Sequence, residues 1–195
     1  MGVKVSGGAA QVIDKESAAK LAAIRGHVWH CFGSSGMTDW LSAVSVFFCT
    51  EGPAITVSGW TDYFDFEGED ETYSLLKIDG GAEDFEEAKK SGRLFWSQSG
   101  QQVTDVLVVR ETVVETRGGH VSWRYVTDVA IVFQLSESVV AVEKVSHHSE
   151  LLGIATAAAM DELPNEEMSN RWRDGPGVTY ALDRRVIRIE DLLGQ

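Results

Sequence analysis

Cysteine, proline, asparagine and positive charge are all scarce in this chain of 195 residues. Two cysteines, Cys31 and Cys49, cannot build a disulfide framework, and their spacing suits no zinc knuckle. Three prolines argue against a long tethering linker. Asparagine occurs only at Asn165 and Asn170, and arginine outnumbers lysine. With abundant Ala, Val and Gly, that bias points to a GC-rich, bacterial genome. Seventeen Lys and Arg face thirty Asp and Glu, for a net charge of −13 and a pI of about 4.7. So acidic a chain is a poor direct ligand for nucleic acid, whose phosphates are neutralised by clustered cations. Anionic membrane surfaces would repel it for the same reason.

Long apolar runs are missing too. The longest, Leu151 to Met160, is broken by Gly153 and Thr156, well short of a membrane span. Near the start, Val3, Val5, Ala9 and Ala10 are interrupted by Ser and Gly, so no signal-peptide core forms. These features lead us to expect a reducing, cytoplasmic setting. Met1-Gly2 with Ser6 fits the myristoylation consensus, a short pattern that is frequent by chance and matters only in a eukaryote.

Catalytic signatures are equally sparse. The chain has no G-x-S-x-G, S-x-x-K, P-loop or H-E-x-x-H, and no G-x-G-x-x-G opening a helix after a strand. No catalytic residue, metal or cofactor is therefore assigned, and an enzyme is the less favoured class. Two clusters keep that class open. His27, His30 and Cys31 would share a helix face and could supply N and S donors to zinc, though no fourth ligand is evident. On a strand, His30 would point away from the other two. His147, His148 and Glu150 could form an acid–base site, since histidine titrates near neutrality. Core packing and helix capping account for the same residues.

What is present is a globular composition, 44% hydrophobic and 24% charged, long enough to bury a core. The pattern predicts one α+β domain over 1–195, with a largely antiparallel sheet of about seven or eight strands and two to three helices. Asp14 caps an expected helix over 15–31. Strands are expected over 43–50 and 54–66 around a Glu51-Gly52-Pro53 turn, then over 72–78 after an acidic loop at 67–71. Residues 82–91 read as a helix, with Glu83 and Asp84 at its start and Lys89 and Lys90 at its end to complement the dipole. A short strand over 93–97 follows.

Gly118-Gly119 joins two long strands, 103–117 and 120–135, as a hairpin. Pairing Arg117 with His120 sets Val114 against Trp123, Thr112 against Tyr125, Val108 against Val129 and Val106 against Ile131. That register yields one apolar face, with Glu111 and Glu115 on the other. A strand over 139–145 extends the meander. A buried helix is expected from Ser146 or Ser149 to Met160, then a polar loop over 161–177 and a closing strand over 178–189.

Charge is not spread evenly. Between Asp62 and Glu87 lie eleven acidic residues and one base, Lys77, so this segment carries −10 of the −13. Asp62, Asp65, Glu67, Glu69, Asp70 and Glu71 alternate with Tyr63, Phe64 and Phe66, and Trp60 precedes them. A calcium loop starting at Asp65 fails, because its sixth position is Asp70 rather than Gly and its twelfth is Leu76 rather than Glu. The segment reads either as a solvated face or as a docking surface on which acids steer and aromatics anchor a basic protein partner. The partner-binding candidates are Asp62, Tyr63, Asp65, Phe66, Glu67, Glu69, Asp70 and Glu71. Trp172, between Arg171 and Arg173, is added as an exposed anchor. Size and acidity suit a bacterial toxin-neutralising immunity protein or a secretion chaperone acting on a toxin or secreted effector. Self-association through edge strands is a further expectation.

Overall fold

A computed structural model describes residues 7–34, 42–66, 69–91, 94–95, 100–163, 171–173 and 176–194. The elements run β1 (Gly7–Gln11), α1 (Lys15–Ala23), β2 (Trp29–Gly33), β3 (Ser42–Ala43), β4 (Ser45–Thr50), β5 (Ala54–Phe66), β6 (Glu69–Gly80) and α2 (Ala82–Ser91). They continue with β7 (Leu94–Phe95), β8 (Val103–Arg117), β9 (His120–Leu135), β10 (Val139–Lys144), β11 (Leu152–Ala157), a 3-10 turn (Met160–Glu162), β12 (Arg171–Arg173), β13 (Val178–Arg188) and α3 (Ile189–Leu193). The fold is α+β and mostly antiparallel, with more strands than the sequence suggested. One sheet has the order β12-β13-β8-β9-β10-β11-β3, with β1 joining β9 in parallel; the other is β6-β5-β4-β2-β7. No helix among the described residues is long and apolar enough to cross a membrane.

The two sheets and α1 share one core. Trp29 of β2, Phe48 of β4 and Phe133 of β9 meet at ring separations of 5.6, 5.5 and 4.6 Å. All three are fully buried, and Leu21 and Ile24 pack in the same cluster. Three large aromatics in mutual contact bury several hundred Å2 of apolar surface, on the order of 150–250 Å2 each.

Asp14 caps α1 as expected, its carboxylate accepting from Ser17 N at 2.7 Å. The helix stops at Ala23, however, and does not continue to 31. Gly26 adopts φ +80°, the left-handed region that ends helices, and the chain re-enters as β2. This overturns the shared face of His27, His30 and Cys31. On β2, Cys31 is buried and His30 exposed, and no metal-ligating group occurs among the described residues.

Cys31 instead lies directly opposite Cys49 across β2 and β4, and both are free thiols beneath α2, 1% and 4% exposed. Their mutual hydrogen bond pulls Cys31 down and, with burial, pushes Cys49 well up. Because both sulfurs are buried, the native thiols should react with a thiol-exchange dye at less than about a hundredth of the rate in denaturant. Full reaction of either cysteine in native buffer would contradict this packing.

The helix expected from Ser146 or Ser149 to Met160 is also overturned. Those serines close turns, Ser146 Oγ accepting from His148 N at 3.3 Å and Ser149 Oγ from Leu151 N at 3.1 Å. Leu152 and Ile154 then alternate with Gly153 and Ala155, and β11 pairs with β10. A period of two won over composition. Likewise β6 begins at Glu69, so Glu69, Asp70 and Glu71 lie on a strand rather than in a loop. Helix α2 occupies its expected span, 82–91.

The Gly118-Gly119 hairpin forms with the expected ends, and both glycines have positive φ. Its register holds only for Arg117–His120 and Thr116–Val121. Beyond that pair Ser122 is an extra residue, so Glu115 opposes Trp123, Val113 opposes Tyr125 and Glu111 opposes Thr127. A further irregularity at Val109/Arg110 pairs Val108 with Ile131 and Val106 with Phe133. Each bulge moves one strand by one residue, which exchanges faces. The consequence is chemical: Glu111 and Glu115 move from the expected mixed face onto that of Trp123 and Tyr125, where both are buried.

Candidate functional site

The shifted register builds a polar cluster where an apolar face was expected. Glu115 is fully buried and accepts from Arg117 Nε at 2.6 Å, from Tyr180 Oη at 2.9 Å and from the bulged Ser122 hydroxyl. Burial raises its carboxyl, but these donors outweigh it and hold the group below the usual carboxylate range. Glu111, four residues earlier in β8 and on the same face, sits directly opposite Arg184 of β13. Its Oε1 accepts from Arg184 Nε at 2.7 Å and from Nη2, and its Oε2 lies 3.1 Å from His147 Nε2. Here too burial opposes ionisation and the hydrogen bonds prevail, so the carboxyl is shifted down.

His147 and His148 stand in the β10–β11 turn, held by the second sheet. Ser74 of β6 donates its N–H to His147 O at 2.8 Å and its hydroxyl to Ser146 O at 2.9 Å. His148 Nδ1 is 2.8 Å from Thr72 O, and its ring lies 4.8 Å from Tyr73, which meets Tyr125 at 4.7 Å. His147 Nδ1 is buried and has no hydrogen-bond partner among the described residues.

Lys144, the last residue of β10, completes the cluster. It is 8% exposed, and its Nζ is 2.8 Å from Ser74 O and 2.8 Å from Thr127 Oγ1. The amine thus bridges the two sheets. Burial brings it down from 10.5 to about 8, against the opposing pull of Glu111 and Asp128. Glu111, Lys144, His147, His148 and Arg184 line one cleft of about 500 Å3. A smaller apolar pocket of about 190 Å3 adjoins it and shares Val129, Glu143 and Arg184.

The expected acid–base trio is only partly assembled. Glu150 turns toward β5, where it accepts from Thr61 Oγ1 at 2.9 Å, while His147 pairs with Glu111 instead. Sequence reasoning missed Glu111 and Lys144. Parity could have found Lys144, which continues the buried alternation of Val140 and Val142. Glu111 was hidden by the bulge.

The acidic candidates lie elsewhere, on the outer half of the β5–β6 hairpin. Asp62 and Asp70 are exposed there, as are Trp60 at 58% and Tyr63 at 71%. Strand alternation puts Trp60 and Asp62 on one face of β5 and Tyr63 on the other, so exposed side chains stand on both faces of this strand. Asp65, Phe66, Glu69 and Glu71 belong to the same two strands, with Phe66 opposite Glu69. Glu67 lies outside the described residues. Trp172 pairs with Tyr180 in the other sheet, apart from this hairpin. The remaining acids of the segment do not join the tip. Glu83, Glu86 and Glu87 are exposed on α2, at the opposite end of β6, about 35 Å away by strand rise. Asp84 is engaged by the Thr56 hydroxyl. The charge block is therefore two patches rather than one.

No known protein family, curated protein or solved structure matches this chain.

Proposed function

We propose that the protein is a small acidic binding protein that docks a basic protein partner through the outer half of the β5–β6 hairpin. The observation that supports this most is the exposure of Trp60 and Tyr63 on opposite faces of a strand that also carries Asp62, with Asp70 on the adjacent strand. Aromatics supply buried area on binding, and the acids supply steering and selection for positive charge. A partner that clasps the hairpin contacts both faces at once. The finer form of this reading is a bacterial immunity protein that occludes a basic toxin, for example a nuclease whose site binds phosphate. A chaperone for a secreted effector would use the same surface.

The test pairs two baits, the unaltered chain and a variant with Glu67→Gln, Glu69→Gln, Asp70→Asn and Glu71→Gln. A basic protein held by the first should be released near 0.5 M salt, where the screening length falls to about 4 Å. The variant should bind that same protein at least about tenfold more weakly, mostly through a slower association rate. Equal affinity of the two baits, or binding indifferent to salt, overturns the docking surface. Trp60→Ala with Tyr63→Ala should instead accelerate dissociation and leave the salt dependence intact.

A further inference from the structure

The cleft at the β10–β11 turn abuts the β5–β6 hairpin through Ser74 and Thr72, but none of the proposed partner-binding residues lines it, and its chemistry is of another kind. A neutral amine has two N–H groups and one lone pair. Lys144 Nζ meets two acceptors, Ser74 O and Thr127 Oγ1, each at 2.8 Å. Those acceptors occupy the two N–H groups of the neutral form and leave its lone pair for an incoming electrophile. The same cleft is lined by a histidine paired with a carboxylate. In the neutral tautomer that donates Nε2–H to Glu111 Oε2, the other ring nitrogen carries the lone pair. That nitrogen, Nδ1, is the buried atom with no partner among the described residues. Nucleophile, base and orienting carboxylate thus border one cleft, with an apolar pocket opening beside it.

We propose that this cleft binds a small aldehyde or ketone with an apolar tail and that Lys144 Nζ condenses with its carbonyl carbon to form a Schiff base. The lone pair of Nζ attacks the carbon, and one amine proton passes to the carbonyl oxygen to give a carbinolamine. The hydroxyl then leaves as water, taking the second amine proton, and a C=N bond replaces C=O. His147 Nδ1 is the group that accepts and returns these protons, and Glu111 steadies the imidazolium. The sum is amine plus carbonyl giving imine plus water, so no oxidant or reductant is consumed. The apolar tail lies against Val109, Val132 and Met160 of the adjoining pocket. The lowered basicity of Lys144 fits this role, since about a tenth of it is neutral at pH 7, against well under a thousandth of an ordinary lysine. The charged and titratable groups around it are Glu111 of β8, Tyr125 and Asp128 of β9, Glu143 of β10, Tyr73 of β6, Arg184 of β13, and His147 and His148 of the turn.

Reductive trapping tests the proposal on the unaltered protein. Hexanal with cyanoborohydride at pH 7 alkylates only amines that first form an imine, and peptide mass mapping assigns the site. Lys144 should be modified at least about tenfold faster than the exposed Lys77, Lys89 and Lys90, following its larger neutral fraction. Hexanal should outpace propanal at Lys144 while the two label the exposed lysines alike. His147→Gln should slow trapping at Lys144 several-fold without changing its rank against propanal. Modification of Lys144 no faster than the exposed lysines overturns the Schiff base, and equal rates with both aldehydes overturn the apolar tail.

Discussion

Replacing Asp128 with alanine should destabilise the protein by about 3–5 kcal/mol. The carboxylate is 1% exposed and holds three donors from two distant parts of the chain. Arg110 of β8 approaches as a fork, Nε to Oδ1 at 2.7 Å and Nη2 to Oδ2 at 3.0 Å. Ile13 N, in the segment that leads into α1, donates to Oδ2 at 2.7 Å across 115 residues of sequence. Removing the acid leaves a guanidinium in a site only 19% exposed and an amide without its acceptor. It also removes the hydrogen bond that ties the start of α1 to β9. In a domain of ordinary stability, about 5–15 kcal/mol, that is a large fraction of the whole. The measurement is urea unfolding: a fall in the midpoint with the slope unchanged. Asp128→Asn keeps two acceptor lone pairs and the shape, so its effect should be roughly half as large. A double-mutant cycle with Arg110→Ala should return a coupling of at least about 1 kcal/mol. A loss under about 1 kcal/mol for Asp128→Ala would mean that the fork does not bear on stability.

Where the sequence could be read, one kind of signal was at work. Composition and period two located β4, β5, β8, β9 and β10, and capping chemistry located the start of α1 and both ends of α2. These signals are local, and each residue carries its share. The failures share a cause as well: one residue out of step. Gly26 ends a helix whose apolar spacing runs on past it. Ser122 inserts into β9 and reverses which side of the hairpin faces the other sheet. Neither event alters composition, so no window average detects it. The candidate cleft depends on the second event, which places Glu111 beside His147. It also depends on contacts of β6 with the end of β10 and the β10–β11 turn, 70 and 76 residues apart in sequence. The acidic hairpin was legible because charge is a count. Its division into two patches was not, because the strand that separates them first had to extend to Glu69.

Gly59→Ala should lower stability by about 3 kcal/mol and disturb the cleft as well, although Gly59 lines neither pocket. A Cβ at position 59 would sit 2.0 Å from the carbonyl oxygen of Glu150 and 2.8 Å from its carbon. Both atoms are backbone, so no side-chain rotation relieves the overlap. Either β5 moves away from the turn or the turn moves outward. β5 is fixed by ladders on both sides, to β4 and β6, and Gly59 N donates to Val44 O at 2.8 Å. The turn is held more lightly, by Ser74, Thr72 and Thr61. The turn should therefore yield, carrying His147 away from Glu111 and Ser74 O away from the Lys144 amine. Two readouts follow. The urea midpoint should fall, and selective trapping of Lys144 by hexanal should be lost at temperatures where the variant remains folded. Gly80→Ala is the matching control, since a Cβ there meets nothing within 4 Å and its effect should stay below about 1 kcal/mol. A folded Gly59→Ala protein with unchanged midpoint and unchanged trapping would show that the turn does not rest on β5.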